Sequence, residues 1–156
     1  MKTIILYATK YGAAREIAER IASHIDGATL HDLKQANIPA LADFDCVIIG
    51  SSLYAGSIRK EAKTFLAQNA AGLRDKKIGL FLSGMSADET EKAFESNFPA
   101  ELRQAATVAS LLGGILDPQK ANLAERLIMK AITKGLGSAN TISDEKIKAF
   151  TEALNA

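Results

Sequence analysis

The chain has 156 residues, 47% of them hydrophobic and 24% charged, with a formal net charge of +1. This is the usage of an ordinary soluble domain, and at this length one domain can bury roughly 70% of the unfolded chain's surface. No apolar run approaches the ~20 residues that span a bilayer, and Met1-Lys2-Thr3 leads into the first apolar run without the h-region of a signal peptide, so a single cytoplasmic domain is expected. Six basic and two acidic residues fall between Ser57 and Lys77, and two basic and five acidic between Ser86 and Gln104; such blocks read as solvated helix faces and are too sparse to argue for nucleic acid.

The first element, Ile4-Ile5-Leu6-Tyr7-Ala8, is a continuous apolar run, the pattern of a parallel strand covered on both faces. From Ile17 onward, Ile17, Ala18, Ile21, Ala22 and Ile25 fall on one face of a helix, which Asp26-Gly27 stops. Between strand and helix, Thr9 to Ala14 must reverse the chain within a few residues. The small residues Ala8, Gly12, Ala13 and Ala14 leave backbone amides open there, and amides at a helix N-terminus are a ready anion site. The turn carries neither G-x-x-x-x-G-K-S/T nor G-x-G-x-x-G, which argues against a nucleoside triphosphate or NAD and leaves a smaller phosphate ester.

Ala28 to Leu33 alternates as a short edge strand, and Lys34 to Phe44 returns the chain irregularly or through one turn of helix. Asp45 to Gly50 is the third strand. It ends in Gly50-Ser51-Ser52-Leu53-Tyr54-Ala55-Gly56-Ser57, a loop of small residues holding one aromatic. The spacing predicts a helix from about Ser57 to Ala71, with Ile58, Ala62, Phe65 and Leu66 inward and Gly72 closing it. Lys77 to Ser83 is the fourth strand and runs into Ser83-Gly84-Met85-Ser86. Asp88 to Asn97 is expected as a helix with acids in its first turn, and Pro99 opens a short helical piece through Gln104.

The fifth strand is predicted from about Thr107 to Leu116, across Gly113-Gly114. Asn122 to Lys134 reads as a helix apolar over more than half its circumference. The last helix starts at Ser143 as N-cap, with Ile142 and Ile147 at staple positions and Ile147, Phe150 and Leu154 as its inner stripe. Strands and helices thus alternate five times, which argues for an α/β parallel sheet with helices on both faces. The lone Cys46 reads as a small buried hydrophobe, and with His24 and His31 the only histidines a zinc site is not supported.

An apolar strand followed by Thr9-Lys10-Tyr11-Gly12-Ala13-Ala14 and a helix continuing Glu16-Ile17-Ala18 resembles the phosphate loop of flavodoxins. The resemblance implies a flavodoxin-like doubly wound five-stranded parallel sheet of order 2-1-3-4-5, with the loops after strands one, three and four on one edge. It implies FMN as cofactor. Thr9 would give the ribityl phosphate a hydroxyl, and Lys10, Tyr11, Gly12, Ala13 and Ala14 would give it amides. Ala14 stands where many members carry Thr, so one hydroxyl is absent while the amides remain. By the same resemblance Ser51, Ser52, Leu53, Tyr54, Ala55 and Gly56, with Ser83, Gly84, Met85 and Ser86, hold the isoalloxazine ring. Tyr54 would stack on it, and Gly56 would tolerate a peptide flip. No catalytic side chain is implied, because the cofactor carries the chemistry.

Val47-Ile48-Ile49-Gly50-Ser51-Ser52, Tyr54-Ala55-Gly56, Gly114-Ile115-Leu116 and Arg126-Leu127-Ile128-Met129-Lys130 are together similar to the group of flavodoxin domains that includes menaquinone-dependent protoporphyrinogen oxidase. This narrower resemblance implies a quinone or tetrapyrrole partner, with Arg59, Lys60, Arg126 and Lys130 as the cations available to porphyrinogen carboxylates. The helix from Asn122 to Lys134 is expected either to pack on its own domain or a second subunit, or to meet a membrane surface peripherally through Arg126, Lys130 and Lys134. The alternative function is a one-electron carrier that docks on redox partners. Such carriers are typically strongly acidic, and a net charge of +1 favours the enzyme. A receiver-like regulatory domain would need a carboxylate cluster after strand one, where Tyr7-Ala8-Thr9 has none.

Overall fold

Every residue of β1 (Thr3–Ala8) is buried in the computed structural model, which describes residues 1–117, 127 and 139–156. This strand pairs in parallel with β2 (Thr29–Asp32) on one side and with β3 (Cys46–Tyr54) on the other. β3 pairs in parallel with β5 (Lys77–Ser83), and β5 with β6 (Val108–Leu111). The order β2-β1-β3-β5-β6 is the doubly wound order that the resemblance to flavodoxins implies.

Side chains alternate across the sheet, and the two faces build two cores. Ile4, Leu6, Val47, Ile49, Ile78 and Leu80 meet α2 (Lys60–Leu73), α3 (Thr90–Asn97) and the short α4 (Ala100–Ala105). Ile5, Tyr7, Ile48 and Phe81 meet α1 (Ala13–Ala22) and α5 (Asp144–Asn155). Because both faces are covered, the strands read as unbroken apolar runs. Each fully buried aliphatic side chain, such as Ile48 or Ile49, contributes about 1.5–3 kcal/mol. The N-cap of α5 is Ser143, whose hydroxyl accepts from the Lys146 amide at 3.2 Å, and Ile147, Phe150 and Leu154 line its buried face.

Several boundaries differ from the sequence expectation. The third strand does not stop at Gly50: it runs to Tyr54, turns through Ala55 (φ 50°) and Gly56 (φ 79°), and returns as β4 (Ser57–Ile58). Two left-handed residues in a two-residue turn match the right-handed twist of a hairpin, with Leu53 opposite Ile58 and Tyr54 opposite Ser57. Consequently α2 begins at Lys60, because Arg59 is still extended, and it continues through Gly72 to Leu73. The helix expected from Asp88 opens with a 3-10 turn (Ala87–Glu89) and becomes α-helical at Thr90.

The fifth strand ends at Leu111. Gly113 (φ 96°) then bends the chain, and β7 (Ile115–Leu116) leaves the main sheet to pair antiparallel with β8 (Ala139–Asn140). The expected helix from Asn122 to Lys134 lies outside the described residues, Leu127 apart. Among the described residues no helix is long and apolar enough to cross a membrane.

Candidate functional site

Parallel register brings the carboxyl ends of the strands level. Ala8 lies beside Ser51, Ser52 beside Ser83, and Leu82 beside Leu111. The connections leave β1 and β3 in opposite directions, and the crevice outside such a switch point is where open α/β sheets bind ligands.

The first loop folds on itself. The Gly12 amide donates to Thr9 Oγ1 at 2.9 Å, and the Gly12 carbonyl accepts from the Glu16 amide at 3.0 Å, which starts α1. A hydroxyl that accepts one bond keeps its own proton to donate. Gly12 holds φ 99°, no side chain caps the helix, and a Cβ at this position would meet no atom within 4 Å. Ala13 and Ala14 are buried in the first turn. The loop therefore presents an uncapped positive helix end to open space, as an anion requires. Lys10 reaches out of it to the second loop: its Nζ stands 3.9 Å from the centroid of the Tyr54 ring and 5.2 Å from that of Tyr11.

The six residues expected in the second loop divide into two sets. Ser51 is fully buried; its Oγ accepts from the Arg59 amide at 2.9 Å and donates to the Ser52 carbonyl at 3.0 Å, which joins β3 to the start of α2. Ser52 Oγ is buried and has no hydrogen-bond partner. Leu53 and Tyr54 are half-buried at the end of the strand, and Ala55 and Gly56 are exposed at the turn. The hairpin is held from α3. Asn97 Nδ2 donates to the Gly56 carbonyl at 2.9 Å, and Asn97 Oδ1 accepts from the Ile58 amide at 3.0 Å.

In the third loop Ser83 is buried as the last residue of β5, Gly84 is half-buried, and Met85 and Ser86 are exposed. The Gly84 amide donates to the Gly113 carbonyl at 3.0 Å. A Cβ on Gly114 would come within 3.1 Å of the Gly84 carbonyl carbon, so the two backbones touch. Thr141 closes the corner: its Oγ1 accepts from the Gly114 amide at 3.0 Å and donates towards Met85 Sδ at 3.6 Å. Sequence reasoning did not include Leu112 to Gly114, Thr141 or Asn97 in the site. The Gly113-Gly114 pair was the available signal, since glycine within a strand pattern marks a bend or a close backbone approach.

Segments 9–12, 52–56, 84–86 and 112–114 contain one formal charge, that of Lys10. At the base of the first loop, burial and then the negative charge of Asp32 push the Tyr7 phenol above its ordinary value, so it stays neutral and protonated. Among the described residues no group of three or more His, Cys, Asp or Glu could hold a metal ion. Of the basic residues considered for a tetrapyrrole, Arg59 is half-buried at the start of α2. Lys60 lines a recess of about 350 Å³ with Leu33, Ile38, Thr64 and Phe65, none of which belongs to these loops. Arg126 and Lys130 lie outside the described residues.

Comparison with known proteins adds three findings. The model of a family described as "Flavodoxin domain" matches residues 4–143. Protoporphyrinogen IX dehydrogenase (quinone) of Escherichia coli is 24% identical over an alignment 160 positions long that covers 94% of this chain and 87% of that one. Among solved structures, a flavodoxin of Streptococcus pneumoniae superposes with TM-score 0.62 at 17% identity, over 99% of this chain and 98% of that one. General stress protein 14 of Treponema denticola, solved in complex with FMN, gives TM-score 0.61 at 16% identity over 99% of each chain. At these identities the structural likenesses establish the fold.

Proposed function

Because the chain belongs to the flavodoxin domain family, we propose that it is an FMN-dependent oxidoreductase whose cofactor lies across the loops after β1, β3 and β5. The observation that carries this reading is the uncapped amino end of α1 facing open space at Gly12, at the edge where β1, β3 and β5 end level with one another.

These residues fit FMN. Thr9 Oγ1, already oriented by the Gly12 amide, donates its proton to the phosphate, and the amides from Lys10 to Ala14 surround it. Leu53, Tyr54, Ala55 and Gly56 flank one side of the ring, and Gly84, Met85 and Ser86 flank the other. Ser51 and Ser83, both buried, shape the strand ends beneath them. When bound, FMN supplies hydride and single-electron chemistry. The chain positions the ring and excludes water from one side of it, and no side chain is needed as acid or base.

The finer reading is a porphyrinogen-type donor and a quinone acceptor, supported by the activity of the E. coli relative. The formal net charge of +1 favours turnover of a small substrate over docking as an acidic carrier.

The test is a titration of the purified protein with FMN, read by flavin fluorescence, for wild type, Gly12→Ala and Gly12→Asp. Wild type is expected to bind one FMN, Gly12→Ala to bind somewhat more weakly, and Gly12→Asp to lose about a hundredfold in affinity, because its carboxylate faces the phosphate. Absence of binding by wild type removes the proposal. Anaerobic addition of protoporphyrinogen to the FMN-loaded protein is expected to bleach the yellow absorbance, and a soluble quinone to restore it. Retained colour on mixing rejects that donor while leaving the cofactor in place.

A further inference from the structure

We infer that Thr141 is a positioning residue for the cofactor, acting through Met85 on the third loop; the inference rests on the FMN reading above. Gly84, where that loop starts, is closely packed. A Cβ on it would lie 3.2 Å from Leu53 Cδ1, a Cβ on Gly114 would lie 3.1 Å from the Gly84 carbonyl carbon, and the Gly84 amide is bonded to the Gly113 carbonyl at 3.0 Å. The start of the loop is therefore fixed. The freedom that remains belongs to Met85 and Ser86, both exposed.

Met85, 39% exposed, is the one large hydrophobic side chain on these loops that the described structure leaves exposed. An unbranched thioether offers a polarizable apolar surface to an aromatic partner, and the FMN reading puts the isoalloxazine ring beside this loop. A methionine free in water samples many rotamers, and ordering it against a ligand costs affinity. Thr141 limits that sampling. Its Oγ1 accepts from the Gly114 amide at 3.0 Å, and its own proton has two acceptors in reach, Met85 Sδ at 3.6 Å and the Gly114 carbonyl at 3.4 Å. The carbonyl already accepts from the Thr141 amide at 2.8 Å, whereas Thr141 Oγ1 is the donor that reaches the thioether among the described residues. Thr141 thus ties the exposed part of the loop to a corner 56 positions further along the chain, before any ligand arrives.

The test reads the rate of FMN release, seen as free-flavin fluorescence after dilution of the loaded protein, with the urea midpoint measured alongside. The variants are Thr141→Val, which keeps the shape without the hydroxyl, Thr141→Ser, Met85→Ala and the Thr141→Val/Met85→Ala pair. Thr141→Val is expected to release FMN about fivefold faster, the worth of one hydrogen bond, and Thr141→Ser to match wild type. Met85→Ala is expected to speed release by at least as much. In that background Thr141→Val is expected to add less than about twofold, as a residue acting through Met85 requires. Unchanged release in Thr141→Val or in Met85→Ala overturns the role of Thr141, whatever happens to the urea midpoint. So does a Thr141→Val effect that persists in full beside Met85→Ala. These results leave the FMN reading standing, whereas failure of wild type to bind FMN overturns both.

Discussion

The side-chain amide of Asn97 donates to the carbonyl of Gly56 at 2.9 Å, a bond that crosses from the last residue of α3 to the tip of the β3–β4 hairpin. The same side chain accepts from the Ile58 amide at 3.0 Å and donates to the Ala93 carbonyl at 2.8 Å. One residue thereby pins the tip of the turn and the returning strand β4 opposite Tyr54. Asn97→Ala is expected to destabilise the protein by about 1–3 kcal/mol, measured as a lower midpoint in urea, and to speed FMN release by loosening the turn. Lost stability with unchanged FMN kinetics would show that the hairpin keeps its shape without Asn97.

Gly113 and Gly12 both hold positive φ, 96° and 99°, yet their surroundings differ. A Cβ on Gly113 would lie 2.1 Å from the Thr141 carbonyl oxygen, a backbone atom that cannot step aside, whereas a Cβ on Gly12 would meet nothing within 4 Å. Gly12→Ala is therefore expected to cost only backbone strain, about 1–2 kcal/mol. Gly113→Ala is expected to cost more than about 3 kcal/mol, because strain and overpacking act together. Calorimetric unfolding of the two variants checks the order; equal losses would mean that the Gly113 corner yields more readily than its contacts indicate.

Gly50 leaves the space that the Phe81 ring fills: a Cβ there would lie 2.0 Å from Phe81 Cζ. The ring cannot swing far, since it packs edge-on against Phe150 with centroids 6.4 Å apart. Gly50→Ala is expected to lose about 1–3 kcal/mol or more. Pairing it with Phe81→Leu is expected to recover part of that loss, a coupling of at least about 1 kcal/mol in a double-mutant cycle. Additive losses would place the strain elsewhere in the strand pair.

Burial pushes the Cys46 thiol above its ordinary value of 9.0, so the folded chain keeps this proton to higher pH than the unfolded chain does. Above about pH 9 the unfolded state binds fewer protons, and linkage then lowers stability as pH rises. Below that range the contribution is constant. Urea midpoints measured from pH 7 to 10.5 are expected to fall at the alkaline end, and less steeply in Cys46→Ala. In native protein at neutral pH, Cys46 is expected to resist a thiol-specific alkylating reagent until urea unfolds the chain. Rapid alkylation without denaturant would contradict its burial.

The parallel sheet, the Thr9–Gly12 turn and the α5 N-cap at Ser143 were legible along the chain, because burial on both faces and helix amphipathicity leave local traces, whereas the strand order came from the resemblance to flavodoxins. The glycine and serine residues from Gly50 to Ser57 misled, since small polar residues read as loop. In the structure Ser51 and Ser52 continue the ladder opposite Leu82 and Ser83, and Ala55 adopts a left-handed φ that its side chain disfavours. Gly113-Gly114 likewise read as part of one long strand, although that strand ends at Leu111 and Gly113 bends the chain away from the sheet.

Sequence by itself determined the central strands and the main helices and which strand ends carry small residues, since these depend on neighbours within a turn or two. Only the tertiary structure decided how those ends are held. Asn97 reaches Gly56 across 41 positions and Ile58 across 39, and Thr141 reaches Gly114 across 27. The Lys10 ammonium on Tyr54 joins two loops in the same way. Such contacts are single, polar and remote along the chain, so they leave no periodic pattern; they exist only once parallel pairing has brought the carboxyl ends of the strands to one edge.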